Sequence, residues 1–253
     1  MSDFRNGFTN VAPASADMSV DAGLRSFMLG VYNKVAIGLV ISAALAWVTG
    51  SFEPVRDLLY VTQVFPDGVT RLTGMTILGM IVAFAPLVVL LGSGFVMKNP
   101  TAATAGGLYW LIVALIGASM GTVVLVYTGA SVVSTFLITA AAFGALSLWG
   151  YTTKKDLSGF GSFLIIGVIG LIIASLVNMF LQNGLMQLII SAVGVLLFAG
   201  LTAYDTQRLK MTYYQLGGDR NAMGVATSYG ALSLYINFIN MFQFMLALFG
   251  GRR

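Results

Sequence analysis

The sequence predicts an all-α membrane protein built from seven transmembrane helices, and three observations carry that prediction. The chain is 58% hydrophobic and only 9% charged, with a mean hydropathy of +0.90. No soluble domain of this size needs so much apolar residue. Its few charges gather in short segments that separate long charge-free windows. Measured against the roughly 20 apolar residues that cross a bilayer, each window is one or two helices long.

Residues 1–24 are polar. No basic segment leads directly into a short apolar core and cleavage site, so they are expected to form a mobile cytoplasmic tail, not a signal peptide. Residues 25–253 then make a single transmembrane domain. The first window runs from Val35 to Phe52, with its helix starting near Phe27 and Lys34 snorkelling to the near surface. A loop is expected from Glu53 to Gly68, where Pro54, Pro66 and Asp67 fall. Leu72 to Met97 is 26 residues, enough to cross with tilt, and Pro86 should kink it. Lys98-Asn99-Pro100 is a turn. No charge follows until Lys154, which makes two helices with the best break at Tyr127 to Ser131. Gly117 with Gly121, and Ala140 with Gly144, are small-xxx-small pairs that permit close helix approach. Lys154-Lys155-Asp156 closes the pair. Leu157 to Tyr204 is again two helices, broken at Gln182-Asn183-Gly184. Asp205, Arg208 and Lys210 lead through a loop to the last helix, Gly224 to Gly250.

With the N-terminus inside, the inner loops hold Arg5, Arg25, Lys34, Lys98, Lys154, Lys155, Arg208, Lys210 and Arg220. The outer side holds Arg56, Arg71, Arg252 and Arg253. Nine against four favours a cytoplasmic N-terminus. A six-span arrangement with one re-entrant segment is the alternative.

Composition also removes whole classes of function. Cys and His are both absent, which excludes disulfides, thiol nucleophiles, zinc sites and His-based acid–base schemes. No catalytic residue, metal site or cofactor is expected, and the chain reads as non-enzymatic. The net charge of +4 forms no basic block, so nucleic acid is not an expected partner. The lipid bilayer is.

Three polar stripes interrupt the apolar helices. On the last helix, Tyr229, Ser233, Asn237 and Asn240 fall at i, i+4, i+8 and i+11, within one narrow stripe. Polar groups are costly against hydrocarbon, so the stripe should face the bundle interior. It serves either interhelical hydrogen bonding alone or an ion pathway. Asp205 is the one acidic residue continuous with a helix core, and Ser191, Gly194, Phe198 and Thr202 share its face. It is either a helix-end carboxylate paired with Arg208 in interfacial water or a titratable group at the mouth of a pathway. Ser175, Asn178 and Gln182 make the third stripe.

The segment AYDTQRLK, a short loop and then GALSLYINFINMFQFMLALFG resemble the end of the Bax inhibitor (transmembrane Bax-inhibitor-motif) family. Tyr204-Asp205, the run Leu232 to Tyr235 and Phe238-Ile239-Asn240 carry the resemblance, and Lys154-Lys155-Asp156-Leu157 fits it too. The resemblance implies a bacterial inner-membrane protein whose last helix is central and surrounded by the other six. It implies a pH-sensitive calcium leak governed by two aspartates on the last two helices, which share a proton and work with a basic latch at the inner end of the second helix. Asp205 fits the first aspartate. The second falls at position 237, which is Asn here, and the latch region holds only Lys98. An Asp–Asn pair can hydrogen-bond, but it cannot share a proton between like charges. The resemblance also suggests association with a membrane-bound ATP-dependent protease. The competing function is therefore a non-conducting regulator or substrate of membrane-protein quality control, with residues 1–24 as its accessible tail. An intramembrane aspartyl protease, suggested by Tyr204-Asp205 and Leu216-Gly217-Gly218-Asp219, would need two carboxylates close together in the membrane.

Overall fold

Asp21 opens the first helix: its carboxylate accepts from the Leu24 N–H, and α1 (Ala22–Ser51) runs on from there. The computed structural model describes residues 21–66, 68 and 70–252. Most of the expected tail, with Arg5, therefore lies outside the described residues, as do Asp67 and Arg253. The tail boundary at residue 24 needs correcting, because the helix begins at Ala22 and not near Phe27. The cap at Asp21 sets the start, ahead of the apolar run.

Among the described residues, seven helical segments are long and apolar enough to cross a membrane. After α1 come α3 (Ile77–Val96), α4 (Ala102–Ser119) continued by α5 (Gly121–Val126), and α6 (Gly129–Thr152). Then come α7 (Ser158–Leu181), α8 (Gly184–Gln215) and α9 (Arg220–Phe249). The third span is interrupted at Met120, whose N–H reaches both Ile116 and Gly117 carbonyls. The last two helices reach past their apolar runs into the segment expected as loop. Gly217 and Gly218, both at positive φ, make that turn, and Asp219 caps α9 through the Asn221 and Ala222 N–H groups.

The connection after α1 is not a plain loop. It holds the short α2 (Glu53–Leu59) and an antiparallel hairpin of β1 (Tyr60–Val64) with β2 (Thr70–Met75). Leu72 to Met75 thus belongs to a strand, and the second span starts only at Ile77. The cause is local: β1 is rich in aromatic and β-branched residues. Thr76 then caps α3 by accepting from the Gly79 N–H while its hydroxyl donates to the Leu58 carbonyl. Pro86 sits inside α3.

α9 is the most enclosed span. In its most apolar stretch 56% of residues are buried, against 6% in α3. It packs against α1, α4, α6 and α8, whereas α3 rests on α4 and α7 on α8. Four of the other six spans thus pack directly on the last helix, while α3 and α7 are held chiefly through α4 and α8. Gly117 and Gly121 do bring α1 and the third span together: a Cβ on Gly117 would lie 2.6 Å from Ser42 Cα, and one on Gly121 2.5 Å from Thr49 Oγ1. Ala140 and Gly144 do not act as such a pair. A Cβ on Gly144 would meet nothing within 4 Å, because that face of α6 opens onto a groove against α1.

The bundle has two ends. α1 begins at the near end, where the Ala102 N–H donates to Asn221 Oδ1. α1 finishes at the far end, where the Thr128 N–H donates to the Gly251 carbonyl and Tyr127 bridges Arg252.

Candidate functional site: a buried carboxylate between the last two helices

The buried face of α8 carries Ser191, Gly194, Phe198, Thr202 and Asp205. The Thr202 and Thr206 hydroxyls donate to carbonyls one turn back, at 2.7 and 2.8 Å, so both are satisfied within their own helix. Asp205 is different. It is only 4% exposed, and its partners come mostly from the neighbouring helix. Ser233 Oγ and Asn237 Nδ2 both donate to Asp205 Oδ2, each at 2.8 Å. Arg208 Nη2 lies 3.4 Å from Oδ1, and its side chain is 52% exposed. One carboxylate oxygen thus takes two neutral donors from α9, and the other faces a cation that reaches out to water. Hydrogen bonds to a charged group contribute about 1.5–3 kcal/mol each, so this cluster ties α8 to α9 as well as placing a charge in the span.

The structure divides the stripe of the last helix. Ser233 and Asn237 meet Asp205. Asn240 is half-buried and donates to the Ile236 carbonyl of its own helix. Tyr229 is exposed, so the stripe does not face the interior along its whole length. Lys98 is exposed, and among the described residues it has no ion pair; the cation beside Asp205 is Arg208. Asp205 is buried, and the expected pairing with Arg208 one turn on is present. Asp219 spends its carboxylate on the α9 cap and forms no dyad.

The third stripe divides as well. Ser175 bonds back to the Leu171 carbonyl, and Gln182 ends α7 at φ 50°. Asn178 joins α8 near the far end: its Nδ2 donates to Gln187 Oε1 at 3.2 Å, and Gln187 Nε2 donates to Ser191 Oγ at 3.3 Å.

Two contacts on α9 were not legible as such. Lys34 does not snorkel to the surface: its Nζ donates to Ser228 Oγ at 2.7 Å, and its carbonyl accepts from Tyr109 OH. Ser42 and the fully buried Tyr235 share a 2.6 Å hydrogen bond. The available signal was position. Lys34 stands at the edge of a charge-free window, twelve residues inside a helix that begins at Ala22.

Chemically, Asp205 with Ser233 and Asn237 can hold a proton or a hard cation by oxygen. Among the described residues no three His, Cys, Asp or Glu side chains gather, so a passing cation would meet one carboxylate, not an acidic cage.

A seven-span bundle with one carboxylate clamped between its last two helices defines a multi-pass membrane protein with a polar site inside the bundle. The chain belongs to the Bax inhibitor family: the family described as inhibitor of apoptosis-promoting Bax1 matches residues 24–253. An uncharacterized protein of Caulobacter vibrioides is 65% identical over the full length of both chains. The inner membrane protein YbhL of Escherichia coli K12 is 40% identical over 92% of this chain and 94% of its own. A Rickettsia prowazekii protein is 38% identical over 94% of this chain and 95% of its own.

Proposed function

We propose that this protein is a non-enzymatic, pH-modulated cation leak of the bacterial inner membrane, with calcium as the cation and the N-terminus cytoplasmic. The observation that carries the proposal is Asp205, a buried carboxylate inside a membrane-spanning helix, held at 2.8 Å by Ser233 and Asn237. An ionisable group at that depth costs stability and marks a pathway by default. The inner-membrane location is supported by the relative named for it. The orientation is supported by the Lys and Arg count together with the seven spans, which set the two termini at opposite ends.

The test is calcium entry into liposomes that hold the purified protein, followed between about pH 5 and 8. Wild type should admit calcium above protein-free vesicles, and Asp205→Asn should flatten the pH response. Absence of flux at every pH would sink the leak and leave the non-conducting regulator or substrate of a membrane-bound ATP-dependent protease.

A further inference from the structure

We propose that the groove between α1 and α6 at the near end of the bundle is a binding site for an anionic glycerophospholipid. The groove encloses about 1220 Å³. It exists because α1 and α6 are not a packed pair, although both pack on other helices. Its walls are open at two glycines of the lining. A Cβ on Gly144 would meet nothing within 4 Å, and one on Gly30 would meet only Thr227 at 3.7 Å.

Inside this apolar cleft sits one group with no place to go. The Ser147 side chain is 5% exposed, and among the described residues its Oγ has no hydrogen-bond partner. Neighbouring serines and threonines on the same helix, Ser134, Thr139 and Thr152, all bond back to a carbonyl in the preceding turn. A buried hydroxyl without a partner is costly, most of all where water is absent. An occupant with an acceptor at that depth removes the cost.

The mouth of the groove indicates which occupant. Arg25 is exposed, and among the described residues it forms no ion pair. Lys210 is outside the lining but stands beside the lining Tyr151, 3.2 Å from its carbonyl and 5.7 Å from its ring centroid. The one acid in the lining, Asp21, already accepts from the Leu24 N–H and Tyr213 OH. Cations and a tyrosine at the end of a span are the usual surroundings of a lipid phosphate, and basic pockets between spans take anionic headgroups. Ser147 lies one helical turn, about 6 Å, deeper than Tyr151. The order of depth matches a phosphate first and an ester carbonyl below it. Met28, Leu29 and Phe143 then supply apolar surface for an acyl chain. A transmembrane helix of another protein would fill the same width but leave the charges at the mouth unexplained.

The test is the lipid retained by the full-length protein purified from nanodiscs of phosphatidylethanolamine with one tenth phosphatidylglycerol, counted by native mass spectrometry. Wild type should retain phosphatidylglycerol well above its share of the bilayer. Arg25→Gln should lower that preference about fivefold, the worth of one surface basic group. Gly144→Leu, whose new side chain enters open space, should displace the lipid while the thermal unfolding midpoint is kept. Ser147→Ala should reduce retention of both lipids alike, because it removes the donor to the ester. Retention in the bulk ratio by wild type would overturn the proposal. So would preferences unchanged in both Arg25→Gln and Gly144→Leu, or a co-purifying polypeptide that Gly144→Leu releases while lipid retention stays the same.

Discussion

The two halves of the seam between α8 and α9 share the same helices and differ in chemistry. Toward the near end, Asp205, Ser233 and Asn237 are joined by two 2.8 Å hydrogen bonds. Toward the far end, Gly194 lets Phe244 lie against the α8 backbone, and Phe198 stacks on Phe244 with centroids 6.0 Å apart. Past that contact, polar groups return at Ser191 and Gln187. Two polar regions are thus separated by an aromatic contact on one continuous face. The carboxylate acceptor of the near half can hold a cation or a proton. An aromatic constriction excludes water and can block an ion without binding it. In the leak proposed above, the near half is the site and the aromatic contact is the barrier.

The largest effect expected from breaking this contrast is at Asp205. Asp205→Leu would leave the half-buried Ser233 hydroxyl and the buried Asn237 amide without their acceptor, at up to about 1–3 kcal/mol each. A loss of roughly 2–6 kcal/mol should appear as a lowered unfolding midpoint. Asp205→Asn keeps an acceptor oxygen in place and should cost far less. Equal losses in the two variants would show that packing, not hydrogen bonding, holds the near half. In the far half the corresponding test is Gly194→Ala. The new Cβ would come within 2.6 Å of the Phe244 ring, and such overpacking costs about 1–3 kcal/mol. If that variant keeps its midpoint, the aromatic contact is loose and cannot act as a barrier.

Phe244→Ala turns the comparison from stability to transport. Removing the ring should leave the Asp205 cluster in place and lower the barrier, so cation flux into liposomes should rise, roughly tenfold for each 1.4 kcal/mol. Flux that stays flat in Phe244→Ala while Asp205→Asn changes it would place the barrier in the near half.

Much of this contrast was legible in the sequence, and the remainder failed for identifiable reasons. Charge-free windows located the spans because charge is costly in hydrocarbon whatever the packing. The shared face of Ser191, Gly194, Phe198, Thr202 and Asp205 followed from helical period alone, and these residues are buried together. Period cannot tell which neighbour covers a face. Tyr229 obeys the stripe and is still exposed, because the helices around α9 do not cover that position. Gly144 obeys the small-residue spacing, yet it faces a groove. The hairpin from Tyr60 to Met75 was hidden because its two strands are only five and six residues long and mix polar with apolar residues, too short a pattern to separate from loop and helix margin. Lys34 was assigned to the surface by rule, whereas Ser228 on α9 offers it a partner inside.

The finest effect belongs to position 237. Asp205 has Ser233 and Asn237 as its α9 partners, and neither titrates. Arg208, with Nη2 3.4 Å from Oδ1, is the charged group in contact with it among the described residues, and α7 carries no titratable side chain. Among the described residues no second acid touches Asp205, so its carboxylate has no like group with which to share a proton. Asn237→Asp places a second carboxylate against the first. Two acids at hydrogen-bond distance cannot both ionise freely, so one proton is held to higher pH and is lost in a separate step. The flux curve of that variant should therefore be biphasic, with one phase moved toward neutral pH, and Asp205→Asn in the same background should return it to a single phase. A wild-type curve that is already biphasic would mean that a second step needs no acid at position 237, and would overturn this reading.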